Sequence, residues 1–291
     1  MTDSDPRPAE PTAPIRQAID RADGTRFAVT LHPSASGPTG PVVLVVPAMG
    51  MAAGYYGKFA TALAAAGWST AVMEQRGHEE TGGRRPGRRY NFGYADLVTD
   101  IEASVRLLSA DGAEVYLLGH SLGGQVGSVF AARHPSRLAG LILVAAPSPY
   151  WRSYSPLFLP VSQAMALLAR FVGHFPGQRV RFAGREARGV MADWARLART
   201  GRLDFGRPRV DHGAALARLD LPALVISVEG DTLAPPAAVD RLAEMMPSLD
   251  VVRRHVEAEG VDHFRWARRP EAVVPIIAGW LAEAAPALRA R

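Results

Sequence analysis

The run Gly119-His120-Ser121-Leu122-Gly123 stands between an apolar stretch, "EVYLL" (114 to 118), and a segment of helical spacing, "GGQVGSVFAARH". A serine in that place could cap a helix or act as a nucleophile. A serine hydroxyl is a weak nucleophile at neutral pH. It needs a base within hydrogen-bond reach, a group that orients the base, and donors for the oxyanion that develops on the substrate. Strand before and helix after is the context a G-x-S-x-G elbow requires. The serine then sits in strained backbone, and small neighbours must let strand and helix approach. Gly119, Gly123 and Gly124 supply them, and the helix N-terminus adds the positive end of its dipole. Ser121 is therefore expected to be the nucleophile of an acyl transfer.

The orienting acid is sought just past a strand end. Asp231 in "VISVEGDTLAPP" fits; Glu229 is expected still inside the strand, and Asp240 on the following helix. The loop after the preceding strand, "APSPYW", holds no acid. Of the eight histidines, His32, His78, His134, His174 and His212 lie outside the loop after the last strand, and His255 falls within that strand. His120 adjoins the nucleophile but is expected to point the other way along the chain, beneath the elbow; it is also counted among the candidate substrate-binding residues. His263, in "EGVDHFRW", lies in the loop between the last strand and the terminal helix. The order Ser121, Asp231, His263 is one in which such triads occur.

These residues need a sheet to hold them. "PVVLVV" (41 to 46) is short, β-branched and flanked by prolines, as a buried parallel strand should be. "WSTAVME", "EVYLLGH", "LAGLILVAA", "LPALVISVEGD" and "LDVVRRHVE" read as further strands. "YYGKFATALAAAG", "YADLVTDIEASVRLLSA", "LGGQVGSVFAARH" and "EAVVPIIAGWLAEAA" read as helices. "IRQAIDRADG" and "TRFAVTLH" read as an antiparallel hairpin at one edge. The alternation predicts an α/β fold, a mostly parallel sheet with helices on both faces. Residues 15–146 and 216–291 form the expected core. Residues 147–215 show helical pieces and no clear strand, and are expected to be a helical lid at the carboxyl ends of the strands, where ligands bind in such sheets.

Together "PAMG", "EQRGHEETG", "GHSLGG", "EGDTLAPP" and "GVDHFRW" resemble the α/β-hydrolase superfamily in its serine-hydrolase branch, over residues 41–146 and 221–285. "PAMGM…YY" with "YW" at the start of the insertion further resembles a group of bacterial hydrolases. The resemblance implies a Ser-His-Asp triad and cleavage of a carboxylic ester or thioester through an acyl-enzyme, with no cofactor and no metal. It implies backbone N–H donors for the oxyanion at Leu122 and Met49, although Pro47 and Ala48 replace the His-Gly turn common in relatives. An acyltransferase or cyclase of secondary metabolism would use the same triad. Dehalogenases and epoxide hydrolases of this fold carry Asp where Ser121 stands.

The insertion holds eleven arginines against four acids (Glu186, Asp193, Asp204, Asp211), with Tyr150, Trp151, Tyr154, Phe158 and Trp194 among its large apolar side chains. Trp151, Tyr154, Phe158 and Trp194 are expected to touch substrate. A greasy lid with a basic rim suits an acyl group on an acidic carrier or coenzyme A, against the simpler reading of a lid packed on its own core. The chain has 291 residues, no cysteine and a pI near 9.9. Without cysteine, disulfides and thiolate chemistry are excluded. Of 33 basic residues only Lys58 is lysine, a skew that points to composition; no recognition helix or stacking aromatics accompany the charge, so no nucleic-acid partner is expected. The polar, proline-rich residues 1–14 lack a signal's apolar region and read as a disordered tail on a cytoplasmic protein, monomer or homodimer. The most apolar stretch, residues 154–173, contains Arg170, and Pro156 and Pro160 are expected to break a helix near its start, so no membrane span is expected.

Overall fold

The computed structural model describes residues 13–35, 37, 40–180 and 184–289, so most of the expected tail lies outside the described residues. The chain begins with a hairpin of β1 (Ile15–Asp20) and β2 (Arg26–His32). It continues through β3 (Val42–Val46), α1 (Gly57–Ala65), β4 (Ser69–Met73), α2 (Tyr94–Leu108), β5 (Val115–His120), α3 (Leu122–Arg133) and β6 (Gly140–Val144). The insertion follows: α4 (Phe158–Val172), β7 (His174–Pro176), α5 (Gly177–Val180), β8 (Arg185–Ala187), α6 (Arg188–Thr200), β9 (Asp204–Phe205), β10 (Val210–Asp211) and α7 (Gly213–Ala217). Then come β11 (Pro222–Val228), α8 (Pro236–Ala243), β12 (Asp250–Val256) and α9 (Val274–Arg289).

Eight strands form one sheet in the order β1-β2-β4-β3-β5-β6-β11-β12. The β1–β2 and β2–β4 pairings are antiparallel and the rest parallel. Every residue of β3, β4, β5 and β6 is buried, because helices cover both faces of a parallel sheet and leave no side for water. On the helices, α1 packs with α9 and α2 with α3.

The insertion departs from expectation in two respects. It contains strands: β7 pairs with β8 and β9 with β10, both antiparallel. Each strand has only two or three residues, too few to show an alternating pattern. Second, Pro160 sits inside α4 rather than breaking it. Its place is the first turn, where a backbone N–H has no helical acceptor to lose. No helix among the described residues is long and apolar enough to cross a membrane.

Most of the polar contacts that tie the insertion to the rest of the chain run to one segment, residues 78–94. His78 Nε2 bonds Glu186 Oε1 at 2.7 Å, with Glu186 buried. Arg185 donates to the Pro86 carbonyl at 2.7 Å, Gly189 N–H to Asn91 Oδ1 at 2.9 Å, and Tyr94 N–H to Asp193 Oδ2 at 3.0 Å. Burial works against protonation of His78, but the Glu186 bond, with Glu79 adding and Arg85 subtracting, leaves its pKa raised above the ordinary value of 6.5.

The tightest packing lies where β3, β5 and α3 converge. A Cβ on Gly123 would lie 2.1 Å from the Val46 carbonyl oxygen, and one on Gly119 would lie 2.4 Å from the Gly124 Cα. Neither neighbour is a side chain that could swing away.

Gly123→Ala should therefore cost at least the ~1–3 kcal/mol typical of overpacking, read as a lower urea midpoint; an unchanged midpoint would show that the backbone can yield. A second expectation concerns pH. A raised folded pKa means that the His78–Glu186 pair stabilises fully below about 6.5 and loses its effect as pH rises through the raised value. The Tm gap between wild type and Glu186→Gln should narrow along that rise, and a gap constant from pH 5.5 to 8.5 would refute the linkage.

Candidate active site

β5 ends at His120 and α3 starts at Leu122, so one residue makes the turn between them. Ser121 does this at φ 52 and ψ −116, a left-handed conformation that side chains other than glycine rarely take. Its N–H reaches the Val144 carbonyl across the sheet at 3.3 Å, and its own carbonyl accepts from Gly124 and Gln125 at 3.0 and 3.3 Å. The strain is held in place from both sides.

Two loops from the carboxyl edge meet this turn. Asp231 follows β11, and its Oδ1 accepts the N–H groups of Leu233 and Ala234 at 2.9 and 2.8 Å. Its Oδ2 lies 2.7 Å from His263 Nδ1, and His263 Nε2 lies 3.1 Å from Ser121 Oγ. A carboxylate can only accept, so Nδ1 carries the proton and Nε2 is left to accept from the serine hydroxyl. Asp231 and His263 are 5% and 6% exposed, dry enough for their attraction to escape much of water's screening. The three expected residues are brought together in the expected sequence of contacts.

Ser121 and His263 open into a cavity of about 240 Å³. Ala48, Met49, Leu122 and Gln125 line it from the core, and Tyr154, Phe158, Val161, Met165 and Trp194 from the insertion. Tyr154 stacks on Phe158 at 4.1 Å and donates its hydroxyl to the Leu233 carbonyl at 2.9 Å. Burial, with the Asp231 charge nearby, pushes the Tyr154 phenol well up, so it remains a neutral donor. The backbone N–H groups of Met49 and Leu122 have no hydrogen-bond partner among the described residues.

Two residues expected to touch substrate do not line this cavity. His120 is fully buried beneath the turn, and Trp151 packs outside the pocket against Tyr150, under the Arg152 guanidinium. The reason for His120 is strand alternation: as the residue before Ser121 it points to the opposite side. Glu229, expected inside β11, stands one residue past it and bonds His255 Nε2 at 2.8 Å, while His255 Nδ1 meets Ser227 Oγ at 2.6 Å. That trio resembles the first in composition only, because Ser227 is completely buried within β11.

One contributor was not singled out from the sequence. Ala48 N–H donates to the Tyr56 hydroxyl oxygen at 2.9 Å, and that hydroxyl lies 2.7 Å from His120 Nδ1. His120 Nε2 lies 2.8 Å from the His263 carbonyl. A carbonyl only accepts, so Nε2 carries the proton and Tyr56 O–H must donate to Nδ1. Burial, reinforced by repulsion from His263, drives the His120 pKa well below the imidazole norm, so the ring stays neutral and the chain keeps one direction. It joins the loop before Met49 to the loop of His263. The "YY" at 55 and 56 was the available signal, but only the three-dimensional fold tells the buried Tyr56 from the part-exposed Tyr55.

Comparison with known proteins bears on the fold and family. A family model described as serine aminopeptidase, S33, matches residues 37–261. A monoacylglycerol lipase of Mycolicibacterium smegmatis is 28% identical over 229 residues, 73% of this chain and 79% of that protein. A pimeloyl-[acyl-carrier protein] methyl ester esterase of Aeromonas hydrophila is 30% identical over 214 residues, 64% of this chain and 80% of that protein. Among solved structures, a thermophilic esterase from Thermogutta terrifontis superposes with a TM-score of 0.64 at 20% identity, covering 94% of this chain and 99% of that one. A family match over most of the chain, on an eight-stranded and mostly parallel sheet, places the protein: it belongs to the serine aminopeptidase S33 family of α/β-hydrolases and is a serine hydrolase.

Proposed function

We propose that the protein cleaves a carboxylic ester or thioester with a medium-length acyl chain, through an acyl-enzyme on Ser121. The continuous contact Asp231–His263–Ser121 at the base of an apolar cavity carries this reading. His263 takes the serine proton as Oγ attacks the carbonyl carbon, then returns it to the leaving alcohol or thiol. A water, deprotonated in turn by His263, releases the acid. Asp231 holds the imidazole in the tautomer this requires and stabilises its charged form. The N–H groups of Leu122 and Met49 receive the oxyanion. Tyr56 and His120 act one step back, as positioning residues that fix both loops relative to the turn.

Residues 147–215 serve in this reading as a lid that selects the acyl group, with Tyr154, Phe158 and Trp194 as its substrate-facing side chains. The relatives named for ester cleavage, one of them for an ester on an acyl-carrier protein, support an acyl substrate that could be carrier-linked.

Three measurements test this. Ser121→Ala should fold yet lose on the order of 10³ or more in kcat on a p-nitrophenyl ester; His263→Ala should match it, and Asp231→Asn should be less severe. Near-wild-type turnover of Ser121→Ala would end the proposal. Tyr56→Phe leaves a buried ring nitrogen and a backbone N–H without partners, a cost of ~1–3 kcal/mol each. If most of that falls on the transition state, kcat drops by about 10- to 100-fold with KM little changed; a change in KM alone would remove Tyr56 from the positioning role. Finally, each acyl methylene buried contributes ~0.8 kcal/mol, up to about fourfold in kcat/KM. Medium-chain esters should outrun acetate until the cavity is full, and Phe158→Ala should flatten the profile while Trp151→Ala leaves it intact. A flat wild-type profile would make the insertion a cover rather than a selector.

A further inference from the structure

The insertion has a second hollow that the acyl pocket does not use. It lies between α4 and α6, encloses about 550 Å³, and is floored by Ala166, Ala192 and Ala195. At about 100° per residue, Gln163, Leu167 and Arg170 of this groove fall on the side of α4 roughly opposite Phe158, Val161 and Met165 of the pocket. The two hollows flank one helix pair.

Arg170, Arg188, Arg196, Arg199, Arg207 and Arg209 line the groove, and no acidic side chain does. Arg196 is paired with Asp204, Nε to Oδ1 at 2.6 Å. Arg199 and Arg209 donate only to neutral acceptors, Gln163 Oε1 at 2.8 Å and the Asp204 carbonyl at 3.3 Å. Arg170, Arg188 and Arg207 make no hydrogen bond or ion pair among the described residues. The next acid, Asp193, is engaged by the Tyr94 N–H, and burial raises its pKa despite Arg209 and Arg207. Six guanidinium groups thus share one hollow with a single carboxylate salt bridge. An arginine-rich composition accounts for many arginines; it does not gather six from three elements around one acid-free hollow. The other basic segment, Arg84 and Arg85, shows the contrast: its hollow is lined by Glu79 and Glu80 as well.

We propose that this groove binds a ligand carrying clustered phosphate groups. Guanidinium forks match phosphate oxygens two at a time and are weakly hydrated, so several converging on one hollow favour a polyanion over a lone carboxylate. The cations come from α4, α6 and the turn between β9 and β10. A bound polyphosphate would tie together the helices that give Phe158, Val161, Met165 and Trp194 to the pocket. Inorganic polyphosphate and the phosphate end of coenzyme A offer the same chemistry.

Titration calorimetry and thermal melts of the full chain with inorganic tripolyphosphate, and separately with coenzyme A, test this. One site per chain is expected, with a rise in Tm and affinity at least tenfold weaker when salt increases from ~0.05 to ~0.3 M. The Arg188→Gln/Arg207→Gln double variant should lose at least tenfold in affinity. It should hydrolyse a p-nitrophenyl ester as wild type does when no phosphate ligand is present, since neither arginine lines the Ser121 pocket. Arg84→Gln/Arg85→Gln should bind as wild type. Equal affinity for both ligands would assign the groove to the phosphates alone; tighter coenzyme A would assign it to a phosphorylated coenzyme; either sustains the site. Binding unchanged in the first double variant, or lost in the second instead, would overturn it. Because binding is read without turnover, it can fail while the esterase reading stands, and the reverse.

Discussion

The contact on which the rest depends is backbone against backbone. α3 starts so close to the end of β3 that position 123 has no room for a methyl group beside the Val46 carbonyl. That approach forces the chain to turn from β5 into α3 within one residue, and Ser121 takes the left-handed conformation as the result. The same closeness brings Met49, in the loop after β3, to the cavity that Leu122 and Ser121 line. Proposed nucleophile and proposed oxyanion donors are therefore set by one steric fact.

A second constraint works through hydrogen-bond direction. Both histidines near Ser121 have their tautomers fixed by groups that can only accept: the Asp231 carboxylate for His263 and the His263 carbonyl for His120. One ring is left with its free nitrogen toward the serine, the other toward the Tyr56 hydroxyl. Protonating His120 would set two donors against each other at Tyr56, unless that hydroxyl turned away. Its deep burial opposes this, so the chain from Ala48 to His263 keeps its order beside the histidine that the proposed mechanism asks to gain and lose a proton.

How far this was legible in the sequence follows from where each signal is written. Strands β3 and β6 are continuous apolar runs and β4 and β5 largely so, each bounded by turn residues, and Ser121, Asp231 and His263 each lie in the connection that follows a strand, so short-range pattern located them. His120 lies beneath the elbow as expected, but its proximity in sequence to Ser121 also put it among the substrate contacts, whereas alternation along β5 turns its ring to the other side. Strands of two or three residues such as β9 and β10 leave no periodic trace. Tyr56 and Gln125 were out of reach because their roles come from residues distant in the chain; Gln125 accepts from the Tyr94 hydroxyl at 2.6 Å and donates to the Pro147 carbonyl at 2.9 Å. Composition identified the insertion as both greasy and basic. It could not say that the two qualities part company onto opposite flanks of α4.

That separation bears on how such a site can change. The groups proposed to make and break bonds come from the core and are fixed by buried hydrogen bonds and backbone contacts. The insertion supplies apolar surface: Phe158, Val161, Met165 and Trp194 present no charged atom to the cavity. Apolar contact is non-directional and tolerates changes of shape, whereas a hydrogen-bonded triad tolerates little displacement. On the proposed reading, substitutions on α4 and α6 alter which acyl group fits without moving Ser121 or His263. The attachments of the insertion fit this division in part. Polar contacts at His78, Pro86, Asn91 and Tyr94 secure it to the stretch from β4 to the start of α2, and the Tyr154 hydroxyl adds one bond to the Asp231 loop at the Leu233 carbonyl.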